Sequence, residues 1–156
     1  MRLRVSAPRP YVFRCVSTFS ARSPVWPAGM APEVLAHDGD DLIVRIRTRQ
    51  LGRLVAGIHR VRVQPPDRVL LDLLEGAVGT FHETLVLEAD GDATWLSWHG
   101  DLGLRLPVGA RTVTRLVAGP LLVAEARRML RRHRVTIEAA ALASGRVTPP
   151  PRGAGR

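Results

Sequence analysis

A long amphipathic helix near the end of the chain, predicted over residues 108–143, is the feature that most constrains the fold. One side of this helix carries an apolar stripe. Arginines at positions 128, 131 and 132 fall on the opposite side, where they would face water. A stripe of this length has to be buried against a large apolar surface made by the preceding residues. The stripe combines two series with seven-residue spacing, namely Leu116, Val123, Leu130 and Ile137, and Gly119, Ala126, His133 and Ala140, with Leu122 and Met129 at its margin.

The middle of the chain alternates between apolar and polar residues and therefore predicts strands. The turn sequences that separate them include Asp38-Gly39-Asp40, Pro65-Pro66-Asp67 and Asp90-Gly91-Asp92, and residues 76–79 form a further predicted turn. Before these strands, the sequence predicts a short strand, a short helix and a Pro-rich loop carrying Trp26. The predicted strands are 2–5, 33–37, 42–48, 53–64, 68–75, 80–89 and 94–106. The predicted helix is 11–19, with a start signal at residues 6–8 in which Ser6 or Ala7 is near the cap, and the loop is 20–32.

An apolar sheet face and an apolar helix stripe bury each other most economically when a curved antiparallel sheet wraps around the helix. The sequence therefore predicts an α+β fold in one domain over residues 1–145, with Gly145 stopping the helix. Residues 146–156 contain three consecutive prolines and two glycines and are predicted to be a disordered tail.

Composition narrows the functional classes. The chain has 156 residues and one cysteine, Cys15, so a disulfide within the chain and a thiolate metal cluster are both excluded. All 23 basic residues are arginine against 14 acidic ones, giving a net charge of +9, with basic ends and an acidic middle. This charge allows attraction to nucleic acid or anionic lipid without requiring it. No apolar run has the length of a secretory signal or a membrane span, and a cytoplasmic location is expected.

Several local sequences, taken in order, resemble the START-like superfamily, particularly its polyketide cyclase/dehydrase branch with the helix-grip fold. They begin with Ala7-Pro8 before the short helix and the Trp26-Pro27 loop. The others are the hairpin at 38–40, the segment 63–69, the turn at 75–79 leading into Phe81, the hairpin at 91–94 and a final helix that reaches Glu138.

The resemblance covers about residues 1–143 and implies a cavity between the sheet and the last helix for a lipid, polyketide or similar apolar molecule. Members of this superfamily include carriers, sensors and cyclases, so the fold leaves the presence of an enzyme activity open. The expected partner is an apolar small molecule, with no cofactor and no metal. The oligomeric state is not predicted.

Strict alternation places three unusual residues on the apolar face of the sheet. If Phe81 faces inward, Glu83 does as well. In the same way, an inward Val61 places His59 on this face, and an inward residue 96 places Trp98 there. A carboxyl group beside apolar walls would have a raised pKa and could exchange a proton with a ligand. The predicted cavity residues are His59, Val61, Phe81, Glu83, Trp98 and Met129.

Each of these features also has a purely structural explanation. Glu83 could pair with an arginine or lie at a wet rim, Trp98 could serve packing, and Met129 could be ordinary core. His82 and His99 alternate outward, and His133 on the helix fits a partly buried structural histidine better than a catalyst. The helix arginines either form a solvated face or contact an anionic surface, and a structural interaction module without a ligand is a third alternative.

Overall fold

The computed structural model describes residues 1–50, 53–76, 79–103 and 111–145, and these contain seven strands and two helices. Strand β1 is followed by helix α1, six further strands and the long helix α2, the order that the sequence predicts. The elements are β1 (Arg2–Val5), α1 (Arg9–Ser17), β2 (Glu33–Asp38), β3 (Asp41–Gln50), β4 (Arg53–Gln64), β5 (Arg68–Glu75), β6 (Thr80–Asp90), β7 (Ala93–Gly103) and α2 (Arg111–Ala143).

The strands form one antiparallel sheet in the order β1-β7-β6-β5-β4-β3-β2. From β2 to β7, strands that follow each other in the sequence pair with each other. Gly39 and Gly91 adopt left-handed backbone angles in the turns between β2 and β3 and between β6 and β7, with φ of 60° and 59°. The last strand, β7, also pairs with the first strand, β1, and Leu3 lies opposite Leu96 in this pair. Curvature of this sheet around α2 gives the predicted helix-grip architecture.

The core lies between one face of the sheet and the two helices. Leu87 and Leu96 of the sheet, Val12 of α1, and Leu130 and Ile137 of α2 are all almost completely buried within one apolar cluster. The seven-residue spacing of Leu130 and Ile137 therefore places both side chains against the sheet, as the sequence predicts.

The predicted stripe of α2 is wrong at Val123, whose side chain is 41% exposed. Ala141 is fully buried, because the buried side of the helix rotates slightly relative to a strict seven-residue repeat. The helix continues through Pro120 and ends before Gly145, which has a φ of 65°. Helix residues 108–110 and strand residues 104–106 lie outside the part of the chain that the structure describes. The same holds for the side chains of Leu116 and Leu122 and for the surroundings of Gly119.

Helix α1 begins at Arg9, directly after the start signal predicted at residues 6–8 and two residues before the predicted helix body at Tyr11. Pro8 occupies its N-cap position and Pro10 its first turn, where a missing backbone N–H costs nothing. It ends at Ser17, and the Thr18 hydroxyl donates a hydrogen bond to the carbonyl oxygen of Arg14 at 2.7 Å. The loop then folds back, so that the Trp26 indole donates to the Thr18 carbonyl oxygen at 3.0 Å.

The outer face of the sheet is covered by ion pairs between its arginines and the acidic residues of the middle segment. Arg62 donates two hydrogen bonds to the buried carboxylate of Asp41, at 2.8 and 2.7 Å, and this contact holds the pKa of Asp41 below its usual value. Arg45 contacts Glu33 at 2.7 Å on the edge strand. The arginines of the strands are therefore largely neutralised locally. Further pairs join Arg2 to Glu88, Arg4 to Asp90 and Arg60 to Asp38.

Candidate functional site

The inner face of the sheet is defined by the strand registers. Leu71 of β5 lies opposite Glu83 of β6, and Glu83 in turn lies opposite Gly100 of β7. Two residues further along β6, Leu85 lies opposite Trp98 of β7. Directly opposed residues in an antiparallel pair point to the same face, so Glu83 and Trp98 share the face that carries the buried residues Leu71 and Leu85.

Glu83 and Trp98 are joined by a hydrogen bond. The Trp98 indole Nε1 donates to Oε1 of Glu83 at 2.6 Å, and both side chains are partly buried. A Cβ atom at Gly100 would overlap the indole ring, so the glycine provides the space into which the ring leans. Because Gly100 is directly opposite Glu83, leaning over it carries the indole nitrogen to the carboxyl group.

Burial raises the pKa of the Glu83 carboxyl to about 7, and the hydrogen bond from Trp98 opposes part of this rise. The carboxyl group is therefore close to half protonated at neutral pH, where both giving and accepting a proton are available to it. Its partner is an indole N–H, and no arginine pairs with it among the described residues. The arginine pair, one of the structural explanations of Glu83, is therefore not seen among the described residues.

His59 lies on the same face, two strands away from Glu83. It sits opposite Val44 of β3 and Leu73 of β5, and a Cβ atom at Gly57 would lie 3.0 Å from its Nε2 atom. Burial lowers the pKa of His59 to about 4, so its imidazole is neutral at physiological pH. Its Nδ1 atom is buried without a hydrogen-bond partner among the described residues. His59 and Glu83 are thus separated by β5 and are not hydrogen-bonded to each other.

The other predicted cavity residues surround this face at different depths. Val61 is completely buried, whereas Phe81 and Met129 are half-buried, Phe81 opposite residue 102 of β7 and Met129 next to Leu130 on α2. That these residues line one ligand cavity stays a prediction.

The histidines predicted to face outward are exposed. His82 contacts Asp72 through Nδ1 at 2.7 Å on the outer face, and His99 is also exposed. Trp95 lies on the opposite face of β7 from Trp98. The guanidinium carbon of Arg2 lies 4.7 Å from the centre of the Trp95 ring on that same outer face.

Two features of the structure were not anticipated from the sequence. The Trp26 ring contacts the His133 ring edge-on at 6.4 Å, and burial lowers the pKa of His133 to about 4. A depression of about 280 Å³ near the ends of β4 and β5 contains none of the predicted cavity residues. It is lined by Arg45, Ala56, Gly57, Ile58, Glu75 and Gly76.

No group of three or more His, Cys, Asp or Glu side chains converges as a metal site within residues 1–50, 53–76, 79–103 and 111–145. In the same part of the chain, neither helix has the combination of length and apolarity needed to cross a membrane.

No protein-family model matches the chain, and no curated protein matches its sequence. Solved structures do match it. The Zhui aromatase/cyclase from a Streptomyces species superposes with a TM-score of 0.75 at 19% identity, over 94% of this chain and 93% of its own. A START superfamily protein from Mycobacterium smegmatis gives a TM-score of 0.69 at 20% identity, over 92% and 96%. The protein TTHA0849 from Thermus thermophilus gives 0.76 at 18% identity, over 90% and 97%. The chain therefore shares the helix-grip fold of these solved structures.

Proposed function

We propose that the chain binds an uncharged, mainly apolar small molecule between the inner face of the sheet and α2, with Glu83 as the polar group that contacts it. The observation that carries this proposal is the Glu83 carboxyl on a mainly apolar face, held by the Trp98 indole at 2.6 Å. A domain selected only for stability gains nothing from a carboxyl group whose burial raises its pKa to about 7. Binding sites combine apolar walls with a few oriented polar groups in this way.

The two protonation states of Glu83 suit a carrier, a sensor or a cyclase-type enzyme. In its acid form the carboxyl group donates a hydrogen bond or a proton to a ligand carbonyl, and in its ionised form it accepts a proton from an acidic C–H or hydroxyl group. The similar Zhui structure is described as an aromatase/cyclase, which supports the cyclase version. Neutral His59, whose Nδ1 has no hydrogen-bond partner in the described part of the chain, is the second polar group of this proposed site.

The proposal is tested with N-phenyl-1-naphthylamine, an uncharged probe whose emission rises in apolar surroundings and which the arginine-rich surface does not attract by charge. We expect saturable binding that weakens as the pH rises through 7, because an ionised carboxylate beside the probe loses its hydration. If the bound probe raises the pKa of Glu83 by one further unit, the affinity falls roughly fivefold between about pH 6 and pH 8.

Two variants on the same strand make this test specific. Glu83→Gln keeps an acceptor for Trp98 but cannot ionise, so its affinity should not change across this pH range. Glu88→Gln alters an exposed carboxylate that pairs with Arg2 on the outer face and should behave like the unmodified chain. Non-saturable emission, or the same pH dependence in Glu83→Gln and in the unmodified chain, would remove Glu83 from the binding site.

A further inference from the structure

The outer face of α2 carries positive charge that the described acidic residues compensate only in part. We call Arg127, Arg128, Arg131, Arg132 and Arg134 the arginine face, and all five are exposed. Arg128 pairs with Glu125 at 2.7 Å and Arg134 with Glu138 at 3.1 Å, both on the same helix. Arg127, Arg131 and Arg132 form no ion pair with any described acidic residue, whereas most strand arginines do.

Two large aliphatic side chains are exposed among these cations. Val135 is 64% exposed and Leu142 is 44% exposed, and their seven-residue spacing aligns them along one side of the helix. Arg127, Arg131 and Val135 follow each other at four-residue intervals, so the aliphatic line begins directly beside two unpaired guanidinium groups. The surface is therefore both cationic and locally apolar, on a helix whose other side is fixed to the sheet through Leu130 and Ile137.

This combination fits an anionic lipid surface better than a nucleic acid. Guanidinium groups bind phosphate in either case, but valine and leucine add free energy only where an apolar phase lies beneath the charged layer. Single-stranded nucleic acids are held largely by stacking on aromatic rings, and the 33-residue sequence of α2 contains no Phe, Tyr or Trp.

We propose that the arginine face of α2 docks the protein on anionic lipid headgroups, with Val135 and Leu142 entering the interfacial layer. The helix would then lie along the membrane surface, while its inner face stays packed on the sheet. The proposal does not depend on Glu83 or on ligand binding, so the two can fail separately.

The test is co-sedimentation of the full chain with phosphatidylcholine vesicles that contain or lack phosphatidylglycerol, at low and at high salt. We expect binding only to the anionic vesicles, and loss of binding at high salt. Each juxtamembrane cation contributes roughly fivefold, so the variant Arg127→Gln/Arg131→Gln/Arg132→Gln should bind roughly 100-fold more weakly. Val135→Ser should weaken binding severalfold without changing the charge.

The matched control is Arg14→Gln/Arg22→Gln/Arg68→Gln, which removes the same charge at three exposed positions outside α2. It should retain most of the vesicle affinity, and circular dichroism should show both triple variants folded. Equal losses in the two triple variants, no binding of the unmodified chain to anionic vesicles, or binding to DNA alone would each overturn the proposal.

Discussion

Replacing Glu83 with glutamine is expected to stabilise the protein, and to do so increasingly as the pH rises. The folded-state pKa of Glu83 is about 7, against 4.5 for the free side chain. A carboxyl group with a raised folded-state pKa favours folding below its unfolded pKa, and that contribution is lost as the pH rises through the folded value. The relevant window is therefore about pH 4.5 to pH 7, and glutamine has no such loss.

The size of the effect follows from the same shift. Between about pH 5 and pH 8 the stability of Glu83→Gln relative to the unmodified chain should rise by roughly 2 kcal/mol, a value reduced for the partial exposure of the side chain. In a chain of this length that corresponds to roughly 4–8 °C in the melting temperature. Two histidines with lowered pKa, His59 and His133, act in the opposite direction as the pH falls from 6.5 toward 4, but they are the same in both proteins and cancel.

The measurement is thermal unfolding of both proteins across this pH range, with Glu88→Gln as the control on the same strand. Glu88 is exposed on the outer face, so its variant should run parallel to the unmodified chain. A constant difference between Glu83→Gln and the unmodified chain at all pH values would mean that Glu83 titrates as a solvated carboxylate.

Shortening Ile137 to alanine is expected to cost about 2–5 kcal/mol of unfolding free energy, the largest loss among single substitutions considered for α2. Ile137 is completely buried in the cluster that joins α2 to the sheet, so its removal deletes apolar contact and leaves a cavity. Val135→Ala, two residues away with its side chain 64% exposed, should change stability by no more than about 0.5 kcal/mol.

Urea unfolding of the two variants measures this difference directly. Similar losses for Ile137→Ala and Val135→Ala, or a loss below about 1 kcal/mol for Ile137→Ala, would mean that the helix is not held to the sheet through this side chain.

The sequence predicted the order of elements because its signals are local. Turn residues such as Gly39 and Gly91 mark where strands reverse, and alternation marks the buried face between them. The sequence marked the helix start at residues 6–8, with Ser6 or Ala7 near the cap and a proline in the first turn. In the structure Pro8 itself occupies the N-cap position, and α1 begins at Arg9. Val123 was assigned to the buried stripe because a seven-residue repeat drifts relative to a straight helix of 3.6 residues per turn.

The contact between Trp98 and Glu83 was within reach of the sequence but was not predicted. The tight turn at Gly91 and Asp92 places Asp90 opposite Ala93, and counting back along both strands from that pair places Glu83 opposite Gly100. Because Gly100 has no side chain, the Trp98 indole can occupy the space above it and reach Glu83. The contact of Trp26 with His133 joins a loop to a helix more than 100 positions away and has no comparable local signal.

The measurement that tests ligand binding on the inner face most directly is quenching of Trp98 fluorescence by a brominated long-chain alcohol, because bromine quenches only an indole that it approaches closely. The variant Trp26→Phe/Trp95→Phe leaves Trp98, on the inner face, as the single tryptophan of the chain. The variant Trp26→Phe/Trp98→Phe leaves Trp95, which lies on the outer face beneath Arg2. We predict saturable quenching of Trp98 and none of Trp95, with no quenching by the unbrominated alcohol. Equal quenching of the two tryptophans, or no saturable quenching of Trp98, would contradict a ligand site beside Glu83.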